Sequence, residues 1–197
     1  SNNIFVSSYS CDGHMRWAKL LASNAEASTP FGIAADSLGN IYVAGRFGRG
    51  GTFHIGDDTM ISPPYDNYIS TGLIQFDTSG NFHWIRYVGA NTFGSLIATF
   101  SESDPLVVDA TNKVHYLCYL NAGVPLLTGT TTARGVYDLT YEVSGNMLSN
   151  TKLAIDSEWY LMSAVIDPQT NKLYTCGQIF QSIYGGTATD TFFAAAF

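Results

Sequence analysis

The chain has 197 residues, of which 46% are hydrophobic and 14% aromatic but only 13% charged, about half the usual charged share of a soluble domain. That composition excludes a disordered chain, and the length suits one domain with a sizeable core. With 9 Lys+Arg against 16 Asp+Glu, a formal net charge of −7 and no basic stripe, nucleic acid and anionic membranes are poor partners.

Strand signals run from end to end: short runs of Val, Ile, Tyr, Phe and Thr, punctuated by Gly, Asn, Asp and Ser. Trp17–Ala27 (WAKLLASNAEA) is the best helix candidate, but its first half aligns with a strand of the repeat described below. The fold class is all-β. No stretch approaches the ~18 apolar residues of a membrane-spanning helix. Starting at Ser1 rather than Met, the sequence reads either as a chain that has lost a leader or as an excerpt. Cys11, Cys118 and Cys176 cannot all pair within one chain and share no metal-ligand spacing. Buried free thiols are expected, with one disulfide plus a leftover thiol as the rival.

The chain repeats itself at intervals of about 65 residues. An aromatic, a short polar linker and a Gly turn recur as SSYSCDGHMRW (Ser7–Trp17), IQFDTSGNFHW (Ile74–Trp84) and LTYEVSGNMLS (Leu139–Ser149), with Tyr9, Phe76 and Tyr141 in register and Phe197 in the same place at the end. Between them, apolar runs flank a turn at Asp36, Asp109 and Asp167. A vaguer third landmark reads TFHIGDDT, PLLTGTTT and SIYGGTAT, a loop or small extra hairpin. Asp before a Gly- or Asn-bearing turn is hairpin chemistry, because the carboxylate accepts turn N–H groups while Gly or Asn tolerates positive φ. Each period thus predicts four antiparallel strands. The expected units are 1–20 (partial), 21–87, 88–152 and 153–197 (partial), within a single domain 1–197.

Gly32, Ile33, Ala34, Asp36, Gly39, Asn40, Tyr42, Val43, Gly45 and Phe47, then Phe53 and Gly56, then Phe76, Asp77, Gly80, Asn81 and Trp84 follow one pattern, and Trp17-Ala18-Lys19 matches the end of a preceding unit. This pattern resembles the SBBP-type β-propeller repeat family. The second unit departs from it, with Cys118 at the place of Gly45 and Ser149 at that of the tryptophan, and the third is shorter. The resemblance implies propeller blades of four antiparallel strands in a secreted or surface protein, and no shared catalytic site. With the strands of a blade lettered a to d, the chain opens on c and d and ends on a, b and c. A closed propeller needs at least four blades. The expectation is a piece of a longer propeller, or copies that complete each other by strand pairing. Ile4, Val6 and Tyr9 at one end and Phe192, Phe193 and Phe197 at the other are the expected assembly edges.

Nothing in the chain carries a catalytic signature, a cofactor fingerprint or a metal motif. His14, His54, His83 and His115 are scattered without ligand spacing. Asp57, Asp58 and Asp66 form the densest acidic group but lack a calcium-loop pattern. Asp36, Asp109 and Asp167 recur like a ring of acids, yet a turn cap explains each one. The Gly-rich stretch Gly45–Gly51 leads from a strand into a loop, and Thr128–Thr132 reads as an exposed turn. Trp17, Trp84, Trp159, Tyr65 and Tyr68 are candidate sugar-stacking platforms, although propeller aromatics chiefly fill the space between blades. The expected function is a non-enzymatic extracellular or cell-surface structural or adhesive protein, a homo-oligomer assembling into a filament or ring. The alternative is a carbohydrate- or protein-binding propeller module of a larger secreted protein. A transmembrane barrel is disfavoured by the Asp turns and the repeat.

Overall fold

Strands of alternating and continuous apolar character, broken every few residues by turn formers, leave the backbone no other regular partner than a neighbouring strand. The computed structural model describes residues 3–23, 28–47, 52–56, 59–61, 70–88, 106–120, 122–126, 129–153, 159–179 and 191–196, and among these the regular elements are all strands. β1 (Ile4–Tyr9) and β2 (Met15–Ser23) form the first hairpin. β3 (Thr29–Ala35) and β4 (Ile41–Phe47) flank the Asp36 turn, and β5 (Phe53–Ile55) and β6 (Thr59–Ile61) make a small hairpin. β7 (Ser70–Phe76) and β8 (Phe82–Val88) flank Asp77. The order then recurs with β9 (Leu106–Val108), β10 (Val114–Leu120), a small hairpin of β11 (Pro125–Leu126) and β12 (Gly129–Thr130), β13 (Gly135–Tyr141) and β14 (Met147–Lys152). β15 (Trp159–Ile166), β16 (Leu173–Ile179) and β17 (Thr191–Ala196) follow.

Pairing is antiparallel throughout. β3-β4-β7-β8 form one four-stranded sheet and β9-β10-β13-β14 another, each in chain order. Their registers agree: Ile41 faces Phe76 as Val114 faces Tyr141. A register shift falls at Ser8/Tyr9, Gln75/Phe76 and Thr140/Tyr141, the same repeat position three times. The last sheet is β15-β16-β17.

The first sheet shows what periodicity alone did not. Its order is β1-β2-β5-β6, so the small hairpin of the third landmark extends the sheet before its own, with Leu21 opposite Ile55. β2 runs across the unit boundary expected at residue 20. The described part of the helix candidate, up to Ser23, is held as a strand by β1 on one side and β5 on the other, and its exposure alternates, with Leu20 outward and Leu21 buried; residues 24–27 lie outside the described residues. The β11–β12 hairpin stands as a sheet of its own, and SIYGGTAT lies outside the described residues.

Alternation along each strand distributes the apolar side chains to three layers. Ile4, Val6, Leu21, Phe53 and Ile55 of the first sheet meet Val43, Phe47, Ile74 and Phe76 of the second. Tyr42, Ala44, Leu73, Trp84 and Val88 leave the other face of that sheet to meet Val114, Tyr116, Cys118, Leu139 and Tyr141. Leu117, Tyr119, Val136 and Leu153 then meet Leu173 of the last sheet, with Ala164 and Ile166 packed alongside. Neighbours in sequence such as Tyr42 and Val43 therefore serve different layers, and the middle sheets are buried on both faces. Each such side chain removed from water contributes roughly 1.5–3 kcal/mol, so stacking of sheets is the main stabilising term.

Candidate functional site

The recurring acids are the first group to place. Asp36 Oδ1 accepts the backbone N–H of Leu38 at 3.0 Å and of Asn40 at 2.8 Å, and Oδ2 accepts Asn40 Nδ2 at 2.7 Å and the Tyr42 hydroxyl at 2.9 Å. Asp109 accepts Thr111 N, Lys113 N and the Thr111 hydroxyl in the same way, and Asp167 accepts Gln169 N and the Thr170 hydroxyl. Gly39 (φ +84°), Asn112 (φ +63°) and Asn171 (φ +54°) hold the left-handed position of each turn. These carboxylates are committed to their own turns. The first two of these turns also touch: Asn112 Oδ1 accepts Ser37 N at 3.0 Å and the Ser37 hydroxyl at 2.8 Å.

Asp77 does the same work in the second kind of turn, accepting Ser79 N at 2.8 Å, Asn81 N at 2.9 Å and Asn81 Nδ2 at 2.8 Å. The Asn81 side chain, then its backbone N–H, bring the Asp77 carboxyl down to about 2. In the next unit Glu142 replaces it, and the extra methylene spoils the fit. Glu142 accepts the Ser144 hydroxyl at 3.0 Å and Asn146 Nδ2 at 3.4 Å, while Asn146 N turns to Ser144 Oγ at 3.4 Å. Glu142→Asp is expected to raise the melting temperature by about 1–2 °C, since a shorter carboxylate regains the two backbone donors. A differential scanning measurement that finds no change or a decrease would refute this account of the turn.

Those turns are also where successive sheets meet. Trp17 on β2 donates its indole N–H to the Thr78 carbonyl at 3.0 Å, and its ring lies 6.2 Å from Phe76. One period later Trp84 on β8 donates to the Val143 carbonyl at 3.0 Å, packs 6.1 Å from Tyr42 and carries the Arg86 guanidinium 5.2 Å above it. Arg86 in turn donates to the Gly145 carbonyl at 2.7 Å. The glycines of the receiving turns make room: a Cβ on Gly80 would stand 2.6 Å from the Trp17 indole, and one on Gly145 2.7 Å from that of Trp84. Both also sit at φ +81°, where a side chain is strained. At Gly13, the equivalent turn of the first sheet, nothing lies within 4 Å of the Cβ position.

Among the described histidines that lie near a carboxylate, His115 is the most enclosed. Its Nδ1 lies 2.8 Å from Asp138 Oδ2 and its Nε2 3.8 Å from Asp109 Oδ2. Burial works against the imidazolium, but the hydrogen bond and charge of Asp138, with Asp109 behind it, outweigh burial and raise the pKa above its ordinary 6.5. Because the folded-state value lies above the unfolded one, this stabilisation is complete below pH 6.5 and is lost as pH rises through the folded value. Urea titrations are expected to give a lower unfolding free energy at pH 8.5 than at pH 6, and His115→Gln is expected to flatten that slope. His14 and His83 lie 3.7 and 3.6 Å from Asp12 and Asp77 at the surface.

The expected assembly residues divide. Ile4 and Val6 point into the first apolar layer, whereas Tyr9 is exposed. The β1 backbone is the outer strand of its sheet and pairs only with β2 among the described residues. Phe192 and Phe193 pair through their backbone with Gln178 and Gly177 of β16, and Phe197 lies outside the described residues. Exposed apolar residues outside the expected assembly edges include Phe5 (73% accessible), its cross-strand partner Leu20, and Ile33 (62%). Period two along β1 was the signal for Phe5, since its neighbours Ile4 and Val6 share the opposite face.

Trp17 and Trp84, candidates for sugar stacking, are used between sheets, and nothing is described of the Trp159 side chain or of Tyr65 and Tyr68. Asp57, Asp58 and Asp66 lie outside the described residues, as does Gly48–Gly51. None of the three cysteines is in a disulfide; only Cys118 is buried, so the expectation of buried thiols fails for Cys11 and Cys176, which sit in a turn and on an outward strand face. No helix among the described residues is long and apolar enough to cross a membrane.

Residues 16–46 match the family model described as SBBP, a beta-propeller repeat. This segment is similar to an SBBP-type repeat. The SBBP match begins on β2 beside Trp17, crosses β3 and the Asp36 turn, and ends on β4 at Arg46. It therefore spans the contact between two sheets rather than one sheet. Among curated proteins no sequence matches the chain.

Proposed function

We propose that the chain is a non-enzymatic structural or adhesive protein of the cell exterior, built of SBBP-type propeller blades that self-assemble through the free strand edges. In this reading each four-stranded sheet is a blade. The Trp-to-turn contacts at Thr78 and Val143 are the recurring blade junction. The observation that carries the proposal is the first sheet, where β1 has no strand on its outer edge among the described residues and Phe5, Tyr9, Met15 and Leu20 are exposed. An unpaired edge beside exposed apolar side chains is a template for strand addition. The low charge and the abundance of Gly, Ser, Thr and Tyr support the exterior location. Native mass spectrometry of the purified chain is expected to give multiples of 21.4 kDa. A compact monomer at micromolar concentration sinks the proposal.

A further inference from the structure

We propose that His115 is a pH-sensitive latch between the second and third sheets: its protonated ring holds the Asp109 turn in the form that grips Ser37, and loss of that proton releases the grip. The inference concerns contacts within one chain and stands apart from the self-assembly reading.

The repeat shows what has been exchanged at this place. Six residues after its turn carboxylate the second sheet carries Tyr42, whose hydroxyl donates to Asp36 Oδ2 at 2.9 Å. Six residues after Asp109 the third sheet carries His115, with Nε2 3.8 Å from Asp109 Oδ2. The registers make the two positions equivalent: Tyr42 faces Gln75 and His115 faces Thr140, each one pair on from Ile41–Phe76 and Val114–Tyr141. A second exchange accompanies the first. Leu73, opposite Ala44, is fully buried. Its counterpart Asp138, opposite Leu117, places a carboxylate oxygen 2.8 Å from His115 Nδ1. Burial and the Asp36 hydrogen bond keep the Tyr42 phenol protonated, so the ionisable pair stands where the second sheet has a clamp insensitive to ordinary pH.

An ionised carboxylate only accepts hydrogen bonds, so Nδ1 donates to Asp138 and the proton that comes and goes is on Nε2. In the imidazolium, Nε2–H faces Asp109 Oδ2 and the positive charge holds that carboxylate in place. In the neutral ring a bare nitrogen faces a carboxylate oxygen, two acceptors with no proton between them. His115 Nε2 and Asp138 Oδ1 are both buried without a hydrogen bond among the described residues, so no described group takes over. On β10 itself Tyr119 shares the face with His115, and Lys113 just before the strand is exposed. β9 faces His115 with Val107, and the last sheet packs on this side with Ala164, Ile166 and Leu173, its turn acid Asp167 being bonded to Gln169 and Thr170. Burial opposes the charged ring, but Asp138 and then Asp109 outweigh it, so the latch is closed below pH 6.5 and opens as pH rises through the folded-state value.

The Asp109 turn carries the change to the neighbouring sheet. Asp109 Oδ1 accepts Thr111 N at 2.8 Å and Lys113 N at 2.9 Å, the amides on either side of Asn112. Asn112 sits at φ +63° with its own N–H on the Asp109 carbonyl at 3.0 Å. From there its side-chain oxygen takes both the N–H and the hydroxyl of Ser37. One carboxylate thus positions the residue that reaches across to the Asp36 turn.

Amide exchange of the full chain, followed by magnetisation-transfer NMR, reads the grip at Ser37. Asn40 N, which donates to Asp36 Oδ1 at 2.8 Å, is the internal reference for global opening. From pH 6 to pH 8.5 the Ser37 protection factor is expected to fall by about fivefold or more relative to that of Asn40, about five being the lower end of ordinary coupling between sites. His115→Gln is expected to abolish this pH dependence. Asn112→Gly keeps the positive φ, as Gly39 does in the neighbouring turn, and is expected to remove the Ser37 protection at both pH values. His115→Tyr combined with Asp138→Leu installs the residues of the second sheet and is expected to hold Ser37 at its pH 6 protection throughout. A Ser37-to-Asn40 ratio that stays constant with pH in the unaltered chain overturns the latch, as does a fall that persists undiminished in His115→Gln. The readout lies within one chain, so it stands or fails independently of oligomeric state.

Discussion

Trp84→Ala is expected to lower the unfolding free energy by about 3–5 kcal/mol, the largest effect of any single substitution considered. Trp84 is 9% accessible, stacks near Tyr42, lies beneath Arg86 and closes the contact with the Gly145 turn. Truncation empties the space between two sheets and leaves the Val143 carbonyl and the Arg86 guanidinium without their indole partner. Trp84→Phe separates the two contributions. It keeps most of the ring packing and loses the indole N–H bond, so its cost is expected near 1 kcal/mol beyond the change in volume. Urea unfolding followed by far-ultraviolet circular dichroism measures both. A loss under about 1 kcal/mol for Trp84→Ala would mean that the junction does not hold the sheets together. Trp17→Ala is expected to cost less, because Trp17 is only half-buried and, among the described residues, no cation lies over its ring.

Asp36→Ala is expected to cost about 2–4 kcal/mol. One carboxylate serves two backbone N–H groups, the Asn40 amide and the Tyr42 hydroxyl, and Asp36 is itself buried. Removing it strands the Tyr42 hydroxyl, which is fully enclosed and otherwise bonded to Gln75 Nε2 at 3.1 Å. Burial, reinforced by the Asp36 hydrogen bond, also keeps that phenol protonated well above its ordinary range. Asp36→Asn is expected to recover a good part of the loss, because its carbonyl oxygen still accepts from the turn. Tyr42→Phe in an Asp36→Ala background tests whether the stranded hydroxyl is the source of the cost. If the double variant is no more stable than Asp36→Ala alone, the hydroxyl is not that source.

Much of the fold was legible because its signals are local. The Asp36, Asp109 and Asp167 turns were recognisable from a carboxylate followed by a residue that tolerates positive φ, and the hydrogen bonds found there are the ones that chemistry requires. Tyr9, Phe76 and Tyr141 marked the period, and each sits beside the same register shift. The reading of Asp36, Asp109 and Asp167 as turn caps rather than a ring of acids follows from the same local geometry. Glu142 shows the limit of pattern matching: it holds the place of Asp77 in the alignment, but one methylene weakens its hold on the turn.

What remained hidden depends on contacts between segments far apart in the chain. His115 looked like a scattered histidine, and only the pairing of β10 with β13 brings Asp138 within 2.8 Å of it. The TFHIGDDT landmark that holds β5 and the start of β6 read as a loop or a small extra hairpin, and its sequence says nothing about which sheet it extends.

The amino-acid sequence alone determined the strand segments, the turns between them and the period, since side-chain alternation, carboxylate–amide bonding and left-handed φ act over a few residues. Tertiary structure alone decided that β5 joins β2, that Val43 and Tyr42 serve different layers, and that Ile33 is left exposed. The physical reason is that a strand edge bears the same N–H and C=O groups whatever its side chains, and an apolar face is complementary to many others. Which edge and which face they meet is settled only when the sheets stack.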